Sequence, residues 1–317
     1  MSFAAFFMHA DGTILGRYGS RNSKPVEAEN LISMEGLRES LSGALALHQK
    51  YPANKAALAG KQSVPVKYKV PEDYPHLAKF KPELDYKGQV AKSCVHCHQI
   101  RDAERRVYRE ASRPIPEKVL FPYPLPDIFG LSVDKNTRGT VSAVEAGSGA
   151  ETAGIKKGDE ILTLSSQPIL SLADIQWVLH NAPAVTELAF TLRRDGDIIA
   201  ASVVLEEGWR SRSDISWRTS TWSLRRMAFG GMVLESDPSS RTMSLNAKHV
   251  GQYGEHAIAK RAGLKKGDRI VSVDGLTGPM TETQILRHIL TNTKPGDTIP
   301  FSAVRNGRKL DFKVRLP

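Results

Sequence analysis

Only two of the 317 residues are cysteine, and both sit in one short segment, at Cys94 and Cys97. A disulfide-stapled scaffold is thereby excluded, because it needs bridges spread along the chain. Long hydrophobic runs are missing as well. No stretch approaches the ~18–20 apolar residues that span a bilayer, so nothing in the printed chain reads as a membrane helix. The opening MSFAAFFMHADG has no basic n-region, and the apolar run of residues 3–8 is broken by His9 and Asp11, which is wrong for a secretion signal. Methionine is absent between Met34 and Met227. Also lacking is a Gly-x-Ser-Gly-Gly segment of the kind that carries a serine-protease nucleophile. The nearest string, GSGAET at residues 147–152, lies inside a repeated module.

The chain has 40% hydrophobic and 25% charged residues, values of a folded rather than disordered chain. At ~100–200 residues per domain its length implies more than one domain. Its net charge of +10 is uneven: residues 1–127 carry +5, 128–205 carry −3 and 206–317 carry +8. Such sign changes mark domain boundaries. No zinc-finger, RNP-type or helix-turn-helix pattern accompanies the basic balance, so no nucleic-acid partner is expected.

The second half repeats itself. AGIKKGDEIL at residues 153–162 returns as AGLKKGDRIV at 262–271. The dipeptide Asp195-Gly196 between two alternating runs returns as Asn306-Gly307, and both are strong hairpin turns because both central residues must accept positive φ. Phe129-Gly130-Leu131 returns as Phe229-Gly230-Gly231-Met232, with the extra residues of the second copy expected in the loop around residues 248–255. Each copy contains a helix with two apolar stripes. Ser171 is placed to cap the first, where Leu172, Gln176 and Leu179 share one stripe; Thr283, Arg287 and Leu290 share the matching stripe of the second.

These motifs resemble those of PDZ domains, of the kind found in bacterial envelope proteases of the HtrA class. The resemblance implies that Ile128, Phe129, Gly130 and Leu131, and likewise Phe229, Gly230, Gly231 and Met232, form loops whose backbone amides hold a terminal carboxylate. Glycine and converging amides suit an anion in this way. It also implies that a protein C-terminus or extended peptide adds as a strand beside each loop. The stripes Leu172/Gln176/Leu179 and Thr283/Arg287/Leu290 would wall the grooves.

The first fifty residues read as a hairpin turning through Asp11-Gly12, then a helix capped by Ser33 with Leu37, Leu41, Ala44, Leu45 and His48 on its stripe. FFMHADGTILGRYG followed by a helix resembles the C-terminal half of a thioredoxin-like domain. The half that would bear that family's redox Cys-x-x-Cys is not present, so no disulfide chemistry is implied.

Between residues 50 and 125 the chain turns Pro-, Lys- and Tyr-rich, and SCVHCHQ sits in its middle. Cys-x-x-Cys-His is the attachment pattern of c-type haem, in which two thiols bind the macrocycle and the adjacent histidine, His98, meets the iron. KGQVAKSCVHCHQI also resembles the first helix of small cytochromes c. With no methionine available, the sixth iron position falls to His76 or to water. Two other readings stand: a Cys94/Cys97 dithiol or disulfide, and zinc held by Cys94, Cys97 and one histidine, with His76 or His96 needed as a fourth ligand. His9, His180, His249, His256 and His288 show no metal spacing and read as surface or helix residues. Trp209, Trp217 and Trp222, interleaved with arginines, read as a packing stretch or a cation–π surface.

The expected fold class is multidomain α+β. Residues 1–50 form a truncated thioredoxin-like α/β element, 51–117 the Pro-rich CxxCH region, and 118–207 and 208–317 two PDZ-like β-sandwich or barrel domains. The whole arrangement resembles thioredoxin-like/PDZ fusion proteins of environmental bacteria. The resemblance implies architecture and not a reaction; the leading reading is an envelope-associated peptide-binding adaptor whose middle segment carries a redox group, haem c. Alternatives are an electron carrier with its own redox partner, recruited through the PDZ copies, and a scaffold with structural zinc. Covalent haem and disulfides are made outside the cytoplasm, so the expected location is the periplasm or envelope, with a leader not in the printed chain.

Overall fold

Residues far apart in sequence build each half of this protein. The computed structural model describes residues 4–19, 31–63, 66–81, 83–88, 90–218 and 220–317. One unit joins Met1–Pro65 to Phe121–Ser213, and the other joins Val66–Leu120 to Asp214–Pro317.

In chain order the elements begin β1 (Ala5–Met8), β2 (Ile14–Tyr18), α1 (Met34–Gln49), α2 (Lys55–Leu58), α3 (Val90–Ser93), α4 (Cys97–Glu110) and α5 (Glu117–Leu120). The first repeat follows with β3 (Leu131–Val133), β4 (Val141–Val144), α6 (Gly149–Thr152), β5 (Glu160–Leu164), β6 (Gln167–Pro168), α7 (Leu172–Asn181), β7 (Thr186–Arg194) and β8 (Asp197–Leu205). The second has α8 (Thr221–Phe229), β9 (Met232–Ser236), β10 (Leu245–Val250), α9 (Ile258–Arg261), β11 (Arg269–Val273), α10 (Glu282–Asn292), β12 (Thr298–Arg305) and β13 (Arg308–Arg315).

In the first unit β3 pairs with β4, and a second antiparallel sheet runs β6-β5-β7-β8. Phe129, Leu131, Ile161, Ile175, Phe190 and Leu192 fill the core between these strands and α7. The β7–β8 turn has φ of 50° at Asp195 and 95° at Gly196, as a tight hairpin of that sequence requires. The repeated Lys-Lys-Gly-Asp corner owes its sequence to one carboxylate. Asp159, 1% exposed, accepts the Lys156 amide at 2.8 Å and two bonds from the Arg194 guanidinium at 2.7 and 2.8 Å. Arg194 also donates to the Gly154 carbonyl at 2.8 Å. The second repeat copies this arrangement with Asp268, Lys265, Arg305 and Gly263.

The N-terminal segment packs onto the first repeat. β1 and β2 form the expected antiparallel hairpin, and Ser33 caps α1 by accepting the Gly36 amide at 2.9 Å. Leu15, Ala44 and Leu58 bury Leu170, which leads into α7. The Ser40 hydroxyl lies 2.7 Å from the Leu170 carbonyl. Gly36 is fixed by close approach: a Cβ there would lie 2.0 Å from the Lys135 carbonyl oxygen. Trp177 donates its indole N–H to Gly60 O at 2.8 Å, and Arg17 lies over its ring at 3.8 Å.

In the second unit β13-β12-β11-β10-β9 form one antiparallel sheet with β9 at its edge. Glu145 N bonds Gly130 O, and Gly251 N bonds Gly231 O; Val141 N bonds Asp159 O, and Ala247 N bonds Asp268 O. These matched pairs place most of the extra residues of the second repeat in the β9–β10 hairpin, rather than in the expected 248–255 loop. Helix α4 is tied in by its arginines. Arg105, 2% exposed and pushed down to about 10 by burial, donates to Leu120 O at 3.1 Å and Ser220 O at 3.0 Å. Arg109 donates to Thr293 O at 2.7 Å. Among the described residues, no helix is long and apolar enough to cross a membrane.

Candidate peptide grooves and the cleft beside His98

In the first repeat Ile128, Phe129 and Leu131 are buried, and Gly130 between them is left-handed with φ 78°. A Cβ at Gly130 would lie 2.2 Å from Ser148 Cβ, so only glycine lets this loop turn so close to α6. Gly130 N donates to Asp127 O at 2.9 Å, and Gly130 O accepts from Glu145 N at 2.9 Å. Strand β3 has β4 on one side and, among the described residues, no strand on the other. Leu172 and Gln176 are half-buried on α7, whereas Leu179 is fully buried in the core. Gln176 donates to Tyr123 O at 3.1 Å, and the Tyr123 ring stacks on His180 at 4.2 Å, so residue 123 borders this end of the groove. At the other end, residues 133–135 and 171–173 meet Tyr18 and Leu31 around a cavity of about 10 Å³, room for one water.

The second repeat has a similar loop with a different groove. Phe229 and Met232 are fully buried, and Gly230 and Gly231 have φ of 62° and 90°. The outward amide of Leu234 on β9 donates to Glu282 Oε1 at 2.8 Å. That carboxylate also accepts from Arg225 at 3.0 and 2.6 Å, and both side chains are about 95% buried. An internal carboxylate thus occupies the β9 edge where strand addition would bring a peptide carbonyl. The α10 stripe is covered too. Thr283 accepts from the Ile215 amide at 3.4 Å, Arg287 pairs with Glu117, and the Leu290 carbonyl accepts from the Ile115 amide at 2.9 Å. Thr283 and Leu290 are 2% and 0% exposed.

The CxxCH segment lies at the start of α4, with His96 as N-cap residue. Cys94 is half-buried and its thiol donates to Val90 O at 3.3 Å. The Cys97 side chain lies outside the described residues. His98 opens on a cleft of about 720 Å³ within the second unit, walled by Leu77, Phe80, Ala103 and Trp222. Arg106, Arg226 and Lys79 line it together with Asp102 and Glu255, Arg226 pairing with Glu255, and His76 and His256 line it as well. His76 Nε2 lies 2.8 Å from Glu110 Oε1 without hydrogen-bond geometry, and its Nδ1 lies 3.3 Å from Arg106 Nη1. Burial, followed by the Arg226 charge, pushes the His256 pKa down, so its imidazole is neutral at pH 7. Burial raises the Asp102 carboxyl against the pull of Arg105 and His98. Among the described residues no group of three or more His, Cys, Asp or Glu side chains is placed to hold a metal ion.

Two features escaped the sequence. His256 carries no motif, and only the fold brings it beside His98. Glu282 sits in a first helical turn, where an acidic residue ordinarily faces solvent, and nothing in its spacing announces a buried partner 57 positions away.

An edge strand, a glycine-bearing loop and a facing helix define a peptide-binding fold of the strand-addition type, present in each unit. The PDZ domain family matches residues 127–205 and 255–316, and the chain carries two PDZ domains. The second match leaves out β9 and β10, the strands that close around Glu282. Among curated proteins, the periplasmic serine endoprotease DegP of Salmonella typhimurium is 29% identical over 165 residues, 52% of this chain and 32% of its own length. DegP of Escherichia coli is 28% identical over 186 residues, 59% of this chain and 35% of its own length. The serine protease Do-like HtrA of Lactobacillus helveticus is 35% identical over 71 residues, 22% of this chain and 17% of its own length. The chain therefore spans about a third or less of these relatives.

Proposed function

We propose that this chain is a peptide-binding adaptor of the bacterial envelope, in which the first PDZ domain takes free C-termini and the second holds the CxxCH region. The observation that carries the first part is the contrast between the two edge strands. β3 pairs with β4 on one side, has no strand on the other among the described residues, and faces the half-buried Leu172 and Gln176, whereas the β9 amide at Leu234 is already bonded to Glu282. Loop amides anchor the carboxylate and β3 supplies main-chain bonds, which for short peptides gives micromolar affinity, on the order of −7 to −9 kcal/mol. Tyr18 and Leu31 limit the length of peptide that lies in the groove. The envelope location is supported by the periplasmic DegP relatives. Residues 1–50 are read as a thioredoxin-like C-terminal half, supported by the hairpin and helix in that order.

The test is calorimetry of the full chain with a panel of short peptides, each as free acid and as amide. Binding of the free acid alone, lost in Leu172→Asp and kept in Gln284→Ala, supports the assignment. Equal binding of acid and amide overturns the carboxylate anchor.

A second reading concerns the cleft, where Cys94 and Cys97 would attach haem and His98 would bind its iron. What supports it is that His98, next to Cys97 in sequence, lines a cleft with Leu77, Phe80 and Ala103; Asp102 and Glu255 line the same cleft, and neither cysteine is among its lining residues. Bound haem would supply one-electron redox chemistry. The protein's own contribution would be to position His98 on the first turn of α4 and to supply apolar contact from Leu77 and Phe80. Pyridine haemochrome analysis of chain matured with the haem-attachment machinery tests this reading. Absence of covalent haem, with two titratable thiols or stoichiometric zinc, overturns it in favour of the dithiol or the metal.

A further inference from the structure

The two PDZ copies share a strand register and differ in what it carries. In the first, β7 and β8 pair Glu187 with Val204, Ala189 with Ser202, Thr191 with Ala200 and Arg193 with Ile198. In the second, β12 and β13 pair Thr298 with Arg315, Pro300 with Lys313, Ser302 with Asp311 and Val304 with Lys309. Counted from the two hairpin turns, Lys309, Lys313 and Arg315 stand where β8 has Ile198, Ser202 and Val204. The row continues across the sheet, because Val304 also pairs with Arg269 on β11. Arg269 stands where the first copy has Glu160, which there pairs with Arg193.

All four cations are exposed, whereas Ile299, Phe301, Ala303 and Val314 at the alternate positions are buried. Arg269, Lys309, Lys313 and Arg315 therefore share the outer face of this sheet. Among the described residues no carboxylate lies within ion-pair distance of any of the four, and Asp311, between Lys309 and Lys313, accepts a hydrogen bond from the Ser302 hydroxyl. Charge on an edge strand ordinarily guards against pairing with another sheet. Yet β8 is also outermost in its sheet, and its outward Ile198, Ala200, Ser202 and Val204 are uncharged. The fold does without these cations in one copy, and in the other it gathers them against their mutual repulsion.

We propose that the outer face of β11, β12 and β13 in the second PDZ domain docks on an anionic lipid surface, with Arg269, Lys309, Lys313 and Arg315 meeting the headgroup phosphates. A sheet face bearing long cationic side chains, with no aromatic ring among its outward residues, suits a plane of charge. Single-stranded nucleic acid is instead held by stacking on aromatic rings in a groove. The proposal depends on neither the peptide reading nor the haem reading.

The experiment is co-sedimentation of the full chain with vesicles of phosphatidylcholine alone, or of phosphatidylcholine and phosphatidylglycerol in equal parts. Wild type is compared with Lys313→Ser combined with Arg315→Val, which installs the β8 residues, and with Lys50→Gln combined with Lys157→Gln, which removes the same charge from exposed positions of the first unit. Thermal unfolding checks that each is folded, and Lys313→Gln with Arg315→Gln replaces the first pair should it fail. Wild type is expected to bind the phosphatidylglycerol vesicles alone and to be released by salt. At roughly fivefold per cation near an anionic surface, the sheet pair should weaken binding about 25-fold, while the control pair changes it little. Equal losses in the two pairs overturn the assigned face and leave net charge as the cause. No binding of either vesicle, or equal binding of both, overturns the lipid partner, and duplex DNA held through the same cations in its place identifies a polyphosphate instead.

Discussion

Lys61 Nζ lies 2.7 Å from Asp174 Oδ1, and each side chain is 1% exposed. The pair ties the segment after α2 to helix α7 of the first PDZ domain. Burial alone pushes the Asp174 carboxyl up and the Lys61 amine down, and their mutual attraction opposes both shifts. Arg17, 3.8 Å from the same carboxylate and stacked on Trp177, adds a second cation. The N-terminal segment is therefore part of how this domain folds.

Lys61→Met should destabilise the first unit by about 3 kcal/mol, because it leaves a buried carboxylate short of its partner. Lys61→Met combined with Asp174→Leu should recover part of that loss. Urea unfolding of the full chain measures both.

Gly130→Ala and Gly147→Ala make a controlled pair. Both glycines have positive φ, but a Cβ at Gly147 meets nothing within 4 Å, whereas one at Gly130 collides with Ser148. Both should lose the ~1–2 kcal/mol of a left-handed non-glycine residue. Gly130→Ala should lose more and should weaken free-acid peptide binding, which calorimetry reads.

Glu282→Ala should cost about 3–5 kcal/mol, since it strands Arg225 and the Leu234 amide in the interior. Glu282→Gln keeps an acceptor for Leu234 and should cost less. Thermal unfolding ranks the two.

Acid should act on the repeated corners. Hydrogen bonds from Arg194, and then the Lys156 amide, hold the Asp159 carboxyl below its usual range against the cost of burial. At Asp268 burial opposes, but Arg305 and the Lys265 amide prevail and the carboxyl is again lowered. A lowered folded pKa favours the ionised form on folding. This stabilisation is complete above the unfolded value of ~4 and is lost as pH falls through the lower folded value. Melting temperature should therefore drop below about pH 4. Asp159→Asn should melt lower at pH 7 and show a shallower acid slope.

The repeated Ala-Gly corner and the two hairpin turns were legible because each rests on local backbone demands: positive φ at Gly196 and Gly307, and an aspartate three residues after the amide it accepts. The Ser33 and Ser171 caps were legible for the same reason. The α7 and α10 stripes were readable as helix faces, but not which parts of them stay open: Leu172 and Gln176 are half-buried, whereas α10 is covered. Leu179 and Leu290 turned out to be core, because periodicity gives a face and not what covers it. What covers α10 arrives from residues 115–117 and 215, and no local pattern encodes an approach from so far away. His256 was passed over for the same reason.

The division of each unit between two separated stretches bears on synthesis at the ribosome. Residues 66–120, with the CxxCH helix, emerge before either PDZ domain exists, and the strands they pack on follow only after residue 213. Leu77, Phe80 and Ala103 can cluster at once with Tyr74 and Ile100, but Arg105 and Arg109 must wait for the Ser220 and Thr293 carbonyls while the first unit closes around its own N-terminal segment. During this delay the α4 segment is anchored by none of its bonds to the second PDZ domain, which is when an enzyme acting on it would meet the least structure.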